Sequence, residues 1–150
     1  MSWNRIALTL CVVFGLHTVT SSAKEIMKIS EDELIIRALL YDEYRAYENS
    51  YQVYKKLFDD TGAEVYLFRE ATAALMGRRH ILESIARLKI WDKTHPQSIE
   101  VRRLLIPLYL TAKQIDNAKR EAEFLLEQST LPIDLDLASN SFLISWMATN

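Results

Sequence analysis

The sequence predicts an all-α fold, a stack of helix-turn-helix units, and three observations predict it. The first is a period. One constant 34-residue interval separates Ser50 from Ser84 and Ser84 from Ala118, and it recurs in four other sets: Tyr54, Leu88 and Ala122; Leu57, Trp91 and Leu125; Tyr41, Leu75 and Tyr109; Ala38, Thr72 and Ile106. A fixed interval of that length marks a stacked array of small units, none of which can bury its apolar face alone. The second is the scarcity of breakers: only 3 Gly and 3 Pro occur in 150 residues, so little interrupts helix formation. The third is where the breakers fall, beside Ser and Thr residues that suit helix ends.

Residues 1–23 read as an export signal and not as part of the fold. Arg5 and the amino terminus are positive, Ile6 to Leu16 is an apolar run, and Thr20-Ser21-Ser22-Ala23 ends in small residues. That is the three-part plan of a secretory leader, with cleavage expected after Ala23. The apolar run is too short to span a bilayer core, which takes ~20 helical residues. The single cysteine, Cys11, lies inside this run, and the bulky Leu10 before it speaks against lipid attachment. Residues 24–150 are thus expected to be cysteine-free, without disulfide or thiolate metal site. They hold 17 basic and 20 acidic residues, a charge of 17 − 20 = −3. Such a mildly acidic domain is poorly suited to nucleic acid or anionic membrane. One exported domain, in the periplasm or cell envelope, is the expectation.

The elements follow in order. Ser30-Glu31-Asp32-Glu33 is a capping box that opens the first helix, with Leu34, Ala38 and Tyr41 on one face. The apolar stripe then shifts to Tyr47, Tyr51, Tyr54 and Phe58, which favours two helices turning near Tyr47 to Asn49 over one long rod. The tyrosines at three-four spacing read as a packed seam. Thr61-Gly62-Ala63-Glu64 is a second capping box, ahead of a helix carrying Val65, Phe68, Leu75 and Met76. Gly77 suits a helix C-cap, because it takes positive φ without a Cβ clash. Ile81, Ile85, Leu88 and Trp91 face inward on the next helix. Thr94-His95-Pro96-Gln97 reads as a start signal with Pro96 in the first turn. The third pair carries Val101, Leu104, Leu105 and Leu108, then Ile115, Ala118, Ala122 and Leu125, and Pro107 is expected to kink it. Thr130-Leu131-Pro132 repeats the start signal of Thr94, but two positions later than the period requires. It opens a final, unpaired helix with Leu135, Leu137, Phe142, Leu143 and Trp146.

These columns resemble the tetratricopeptide repeat, a 34-residue helix-turn-helix unit. Ala38, Thr72 and Ile106 fall at its eighth place, Tyr41, Leu75 and Tyr109 at its eleventh, and Ser50, Ser84 and Ala118 at its twentieth. Tyr54, Leu88 and Ala122 take the twenty-fourth, and Pro96 the thirty-second. The match spans about residues 31 to 130. It departs at the twenty-seventh place, where Leu57, Trp91 and Leu125 stand for the usual alanine, and at the fourth, where Leu34 and Phe68 give way to Arg102. The resemblance implies a right-handed α-solenoid of about three repeats plus one unpaired C-terminal helix. It also implies a groove lined by first helices: Asp32, Ile35, Leu39 and Asp42; Tyr66, Arg69, Ala73 and Met76; Glu100, Arg103, Pro107 and Leu110. Tyr66, Arg69, Met76, Arg103 and Leu110 are the candidate binding residues. Two stacked guanidiniums suit an acidic segment or a C-terminal carboxylate, against the plainer reading of surface pairs such as Arg103 with Glu100.

No phosphate loop, nucleophile elbow or paired-cysteine motif occurs, and no cofactor or metal is expected. His80 and Glu83 could share one helical face, too few ligands for zinc. The expectation is a non-catalytic adaptor or scaffold that binds a protein or peptide. The rivals are a structural subunit that self-associates through its uncapped C-terminal end, and a small helical enzyme accessory acting through His80 and Glu83.

Overall fold

The computed structural model describes residues 29–149, except the side chains of residues 145, 146, 148 and 149. The expected leader, its cleavage point and Cys11 lie outside the described residues, as does the Trp146 side chain. The chain divides into two units, Met1–Ser30 and Glu31–Asn150. The second is all-helical: α1 (Glu31–Glu43), α2 (Tyr47–Thr61), α3 (Glu64–Gly77), α4 (Ile81–Asp92), α5 (Ile99–Thr111), α6 (Ile115–Gln128) and α7 (Pro132–Thr149). Each helix packs on the next, and α3, α5 and α7 also pack in succession, as an array of helical hairpins requires.

The second helices keep the 34-residue interval. α2, α4 and α6 begin at Tyr47, Ile81 and Ile115. Ser50, Ser84 and Ala118 are all buried, as are Tyr54, Leu88 and Ala122, and Leu57 and Leu125. Trp91 is half-buried against the central cluster and meets Phe58 edge-on at 5.9 Å. The first helices do not keep it. α1, α3 and α5 begin at Glu31, Glu64 and Ile99, steps of 33 and then 35. Their closing hydrogen bonds move in the same way: the amides of Ala46, Arg79 and Gln114 donate to the carbonyls of Tyr41, Ala74 and Tyr109. So do the left-handed residues that follow, Arg45, Arg78 and Lys113, with φ of 54°, 52° and 58°. The short Gly62-Ala63 link starts α3 one residue early. The turn through Arg79 and His80, where His80 takes a second left-handed conformation at φ 55°, restores the register for α4.

One residue along a helix is a rotation of about 100°. The slip therefore changes which face of α3 is buried, and it corrects the expected columns. Ala71, not Thr72, joins Ala38 and Ile106 in the core; Thr72 is exposed, its hydroxyl donating to the Phe68 carbonyl. Ala74 is buried in place of Leu75, which is half-buried at the edge of the central cluster. The central cluster joins Leu67 and Ala71 of α3 to Ile85 and Leu88 of α4, Val101, Leu105 and Leu108 of α5, and Ala118 of α6. Ile106, Ala122, Leu125 and Ala138 then close the C-terminal side.

Helix ends give further corrections. The first turn lies at Tyr44 to Ala46, before Tyr47, and Tyr44 projects into solvent while Tyr51 and Tyr54 are buried. Thr61 ends α2 instead of capping α3: its hydroxyl donates to the Leu57 carbonyl, and Gly62 takes the left-handed C-cap at φ 70°. Gly77 is the last helical residue, with Arg78 as the left-handed cap. A side chain at Gly77 would stand 3.0 Å from the Tyr47 Cβ, so closeness to α2 sets this position. Pro96 lies in a turn, and Ser98 caps α5 by accepting from the Val101 amide. Pro132, by contrast, is the first residue of α7. The two Thr-x-Pro signals are therefore not equivalent. From Ile99 of α5 to Pro132 of α7 the helix starts fall one short of the repeat period, where the signals implied an excess of two. Pro107 sits inside α5 without ending it.

Candidate protein-binding surfaces

The slip of α3 rebuilds the candidate groove. Stepping from α1 by 33, the α3 residues in line with Asp32, Ile35, Leu39 and Asp42 are Val65, Phe68, Thr72 and Leu75. Stepping on by 35 returns Glu100, Arg103, Pro107 and Leu110 on α5. Tyr66, Arg69, Ala73 and Met76 are each turned one residue away. Tyr66 packs against the α1–α2 cluster and its hydroxyl donates to Glu31 at 2.9 Å. Ala73 is buried against Tyr51. Arg69 is exposed and makes no hydrogen bond or ion pair among the described residues. Met76 is exposed beside the turn that carries Arg79.

Arg103 is already paired with a carboxylate of its own chain. Its Nε and Nη2 lie 2.6 and 2.9 Å from the two carboxylate oxygens of Asp134 on α7, and Glu100 stands 3.5 Å away. Asp134 is 1% exposed and also accepts from the Ser129 hydroxyl. The Arg103 bonds foremost, with help from Ser129, hold the Asp134 carboxyl below its usual pKa against the opposing effect of burial. Arg103 therefore fastens α7 to α5, and the α3 residue in line with it is Phe68 instead of Arg69. What remains on the face is mixed: Leu39 and Val65 are about half exposed, Phe68, Leu75 and Leu110 are partly buried, Thr72 is exposed among them, and Asp32 and Glu100 stand at the edges.

Similar charge clusters occupy the other joints. Between the first two hairpins, Glu70 of α3 is fully buried, its Oε1 lying 2.8 Å from the Arg87 Nε; Arg87 also donates to Asp59 at 2.7 Å and sits over the Phe58 ring. Burial raises the Glu70 pKa, and Arg87 opposes the rise. Nearby, the His80 ring stacks on Tyr51 at 4.2 Å, with Nε2 2.9 Å from Glu48 and Nδ1 3.5 Å from Glu83. Lys55 completes that cluster by donating to Glu83. His80 and Glu83 are thus taken up in holding α2 to α4. Between the second and third hairpins, Arg102 joins Asp92 at 2.8 Å and Glu121 at 3.1 Å and lies over Phe124. This explains the arginine at a place where, in the observed register, the other first helices carry the buried leucines Leu34 and Leu67. The sequence hinted at these clusters only through isolated charges at apolar positions, Glu70 and Arg102 among them.

Both ends of the array keep apolar side chains in solvent. α1 exposes Ile36, Leu39 and Leu40, with Tyr44 exposed in the turn after it, and α7 exposes Ile133, Leu143, Ile144 and Met147. Among the described residues no helix is long and apolar enough to cross a membrane. Compared with protein-family models, curated proteins and solved structures, the chain matches none, so the tetratricopeptide resemblance rests on the residue columns themselves.

Proposed function

We propose that this chain is a non-catalytic, tetratricopeptide-like adaptor of the cell envelope that binds a protein or peptide along its first helices. The single observation behind the reading is that Leu39 and Val65, on successive first helices, each leave about half of their surface in solvent on one face. Exposed apolar side chains on adjacent first helices are suited to an apolar ligand, and the anchors of such a surface are a few desolvated contacts. The polar clusters at the joints support the same reading, because their charges are spent on one another. The ligand differs from the one the sequence suggested. With Arg103 tied to Asp134 and Arg69 turned aside, an acidic segment has no paired arginines to meet it. An apolar peptide, neutral or basic, fits Asp32 and Glu100 at the edges.

The test is affinity capture from the native envelope with the purified chain and with a Leu39→Lys, Val65→Lys variant, both substitutions at exposed sites. The reading expects one specific partner that the variant loses while its circular dichroism and melting temperature stay the same. Equal capture by both proteins removes the groove.

A second reading, self-association through the C-terminal end, is favoured by the bare side chains of α7. Light scattering across a concentration series tests it, and a constant monomer mass rules it out.

A further inference from the structure

Two exposed arginines line one cleft where the first two hairpins turn. α3 ends against the start of α2, since a side chain at Gly77 would stand 3.0 Å from the Tyr47 Cβ. Beside this contact opens a cleft of about 370 Å³, lined by Arg45 to Asn49 on one side and by Met76, Gly77 and Arg79 on the other. These arginines differ from those at the joints. Arg87, Arg102 and Arg103 are buried or half-buried, and each meets a carboxylate closely, at 2.7, 2.8 and 2.6 Å. Arg45 is exposed, and its side chain makes no hydrogen bond or ion pair among the described residues. The Arg79 side chain is 69% exposed and stands 3.4 Å from Glu48, which lies nearer to His80, at 2.9 Å. Met76, 56% exposed, gives the cleft an apolar wall. Arg45 also holds a left-handed turn position, φ 54°, where glycine is less strained. Stopping α1 therefore does not itself call for an arginine there.

We infer that this cleft is a docking site for an acidic segment of another protein, which sets a carboxylate against Arg45 and Arg79 and an apolar side chain against Met76. Charge complementarity selects the occupant, because an uncommitted guanidinium takes a carboxylate through two parallel N–H···O bonds. Glu48, in the same lining, selects among anions. It opposes a ligand of dense, uniform negative charge, such as nucleic acid or an anionic bilayer. The chain as a whole opposes one too, with a net charge of −2 at pH 7. A peptide can hold its carboxylates clear of Glu48 and still lay a side chain on Met76, and clusters of arginine are a recurring way to read acidic segments.

This cleft goes beyond the groove of the adaptor reading, and either surface can fail alone. Two short peptides, blocked at both ends, serve as probes: one carries two glutamates beside a leucine, the other two glutamines beside a leucine. They are titrated against the full chain by NMR chemical-shift perturbation. The glutamate peptide is expected to bind roughly tenfold more tightly, with the largest shifts at residues 45 to 48 and 76 to 79. Arg45→Gly with Arg79→Gln should abolish that preference while the melting temperature is kept or raised, since glycine suits the turn. Lys113→Gly, at the equivalent turn of the third hairpin and outside the lining, should leave the preference in place, as should Val65→Lys on the groove. Equal binding of the two peptides, binding of neither, or a preference that survives the double variant overturns the inference. Tighter binding of a random single-stranded oligonucleotide or of phosphatidylglycerol vesicles than of the glutamate peptide overturns it in favour of a polyanion. A mass that doubles with concentration in the parent and not in the double variant overturns it in favour of a second copy.

Discussion

At the scale of single residues, arginines carry the joints of this array, and each holds a carboxylate that burial would otherwise leave unpaired. Asp134 is the clearest case. Its pKa is held below the ordinary value of 3.8 by Arg103 and Ser129 in the folded chain. A depressed carboxylate contributes stability that is fully present above its unfolded pKa and is lost as pH falls through the folded one. Asp134→Asn should therefore be less stable than the parent at pH 7, with the difference shrinking below pH 4 in thermal melts. An equal difference at every pH would mean that the ion pair is not its source. Arg103→Met should cost about 2–3 kcal/mol in urea unfolding, because it leaves a buried carboxylate without its charged partner. Leu88, fully buried where α3, α4 and α5 meet, tests packing instead of charge. Leu88→Ala should cost about 3 kcal/mol by chemical denaturation, from lost transfer energy and the cavity left behind. A loss below about 1 kcal/mol would place that side chain outside a tight core.

At the scale of elements, the turns decide how each helix is rotated. Three of them stop the first helices on a non-glycine residue in the left-handed region: Arg45, Arg78 and Lys113. A Cβ there is unfavourable, and glycine removes the penalty. Lys113→Gly, exposed and without an ion pair among the described residues, should raise stability by about 0.5–1 kcal/mol and the melting temperature by a few degrees. A fall in melting temperature would show that the lysine makes a contact worth more than the strain. The positions of these turns were readable in the sequence only to within a few residues. Capping signals such as Thr61-Gly62-Ala63-Glu64 and Thr94-His95-Pro96 marked the links correctly but not the residue at which each helix begins, since Thr61 closes one helix and Ser98 opens another.

At the scale of the whole molecule, stability in a stacked array is a sum over neighbouring contacts, so it is greatest where a helix has neighbours on both sides. α5 buries Val101, Leu105 and Leu108 toward the second hairpin and Ile106 toward α6 and α7. α1 buries only Leu34 and Ala38. Native-state hydrogen exchange should be slowest for amides in α5 and faster for those in α1 and α7. Equal protection across α1 and α5 would mean that the array opens as one unit and not from its ends.

The sequence by itself determined that the chain is helical, where its successive helices lie to within a few residues, and the periodic column through Ser50, Ser84 and Ala118. Those follow from local composition and spacing, which a helix expresses wherever it sits. Only the tertiary structure decided that Ala71 replaces Thr72 in the core and that Arg103 is held by Asp134 instead of facing a ligand. A link one residue shorter leaves every local signal of α3 intact yet turns the helix by a quarter of a revolution or slightly more. The partner of a charge is likewise set by which helices come together, and that is not written at any one position.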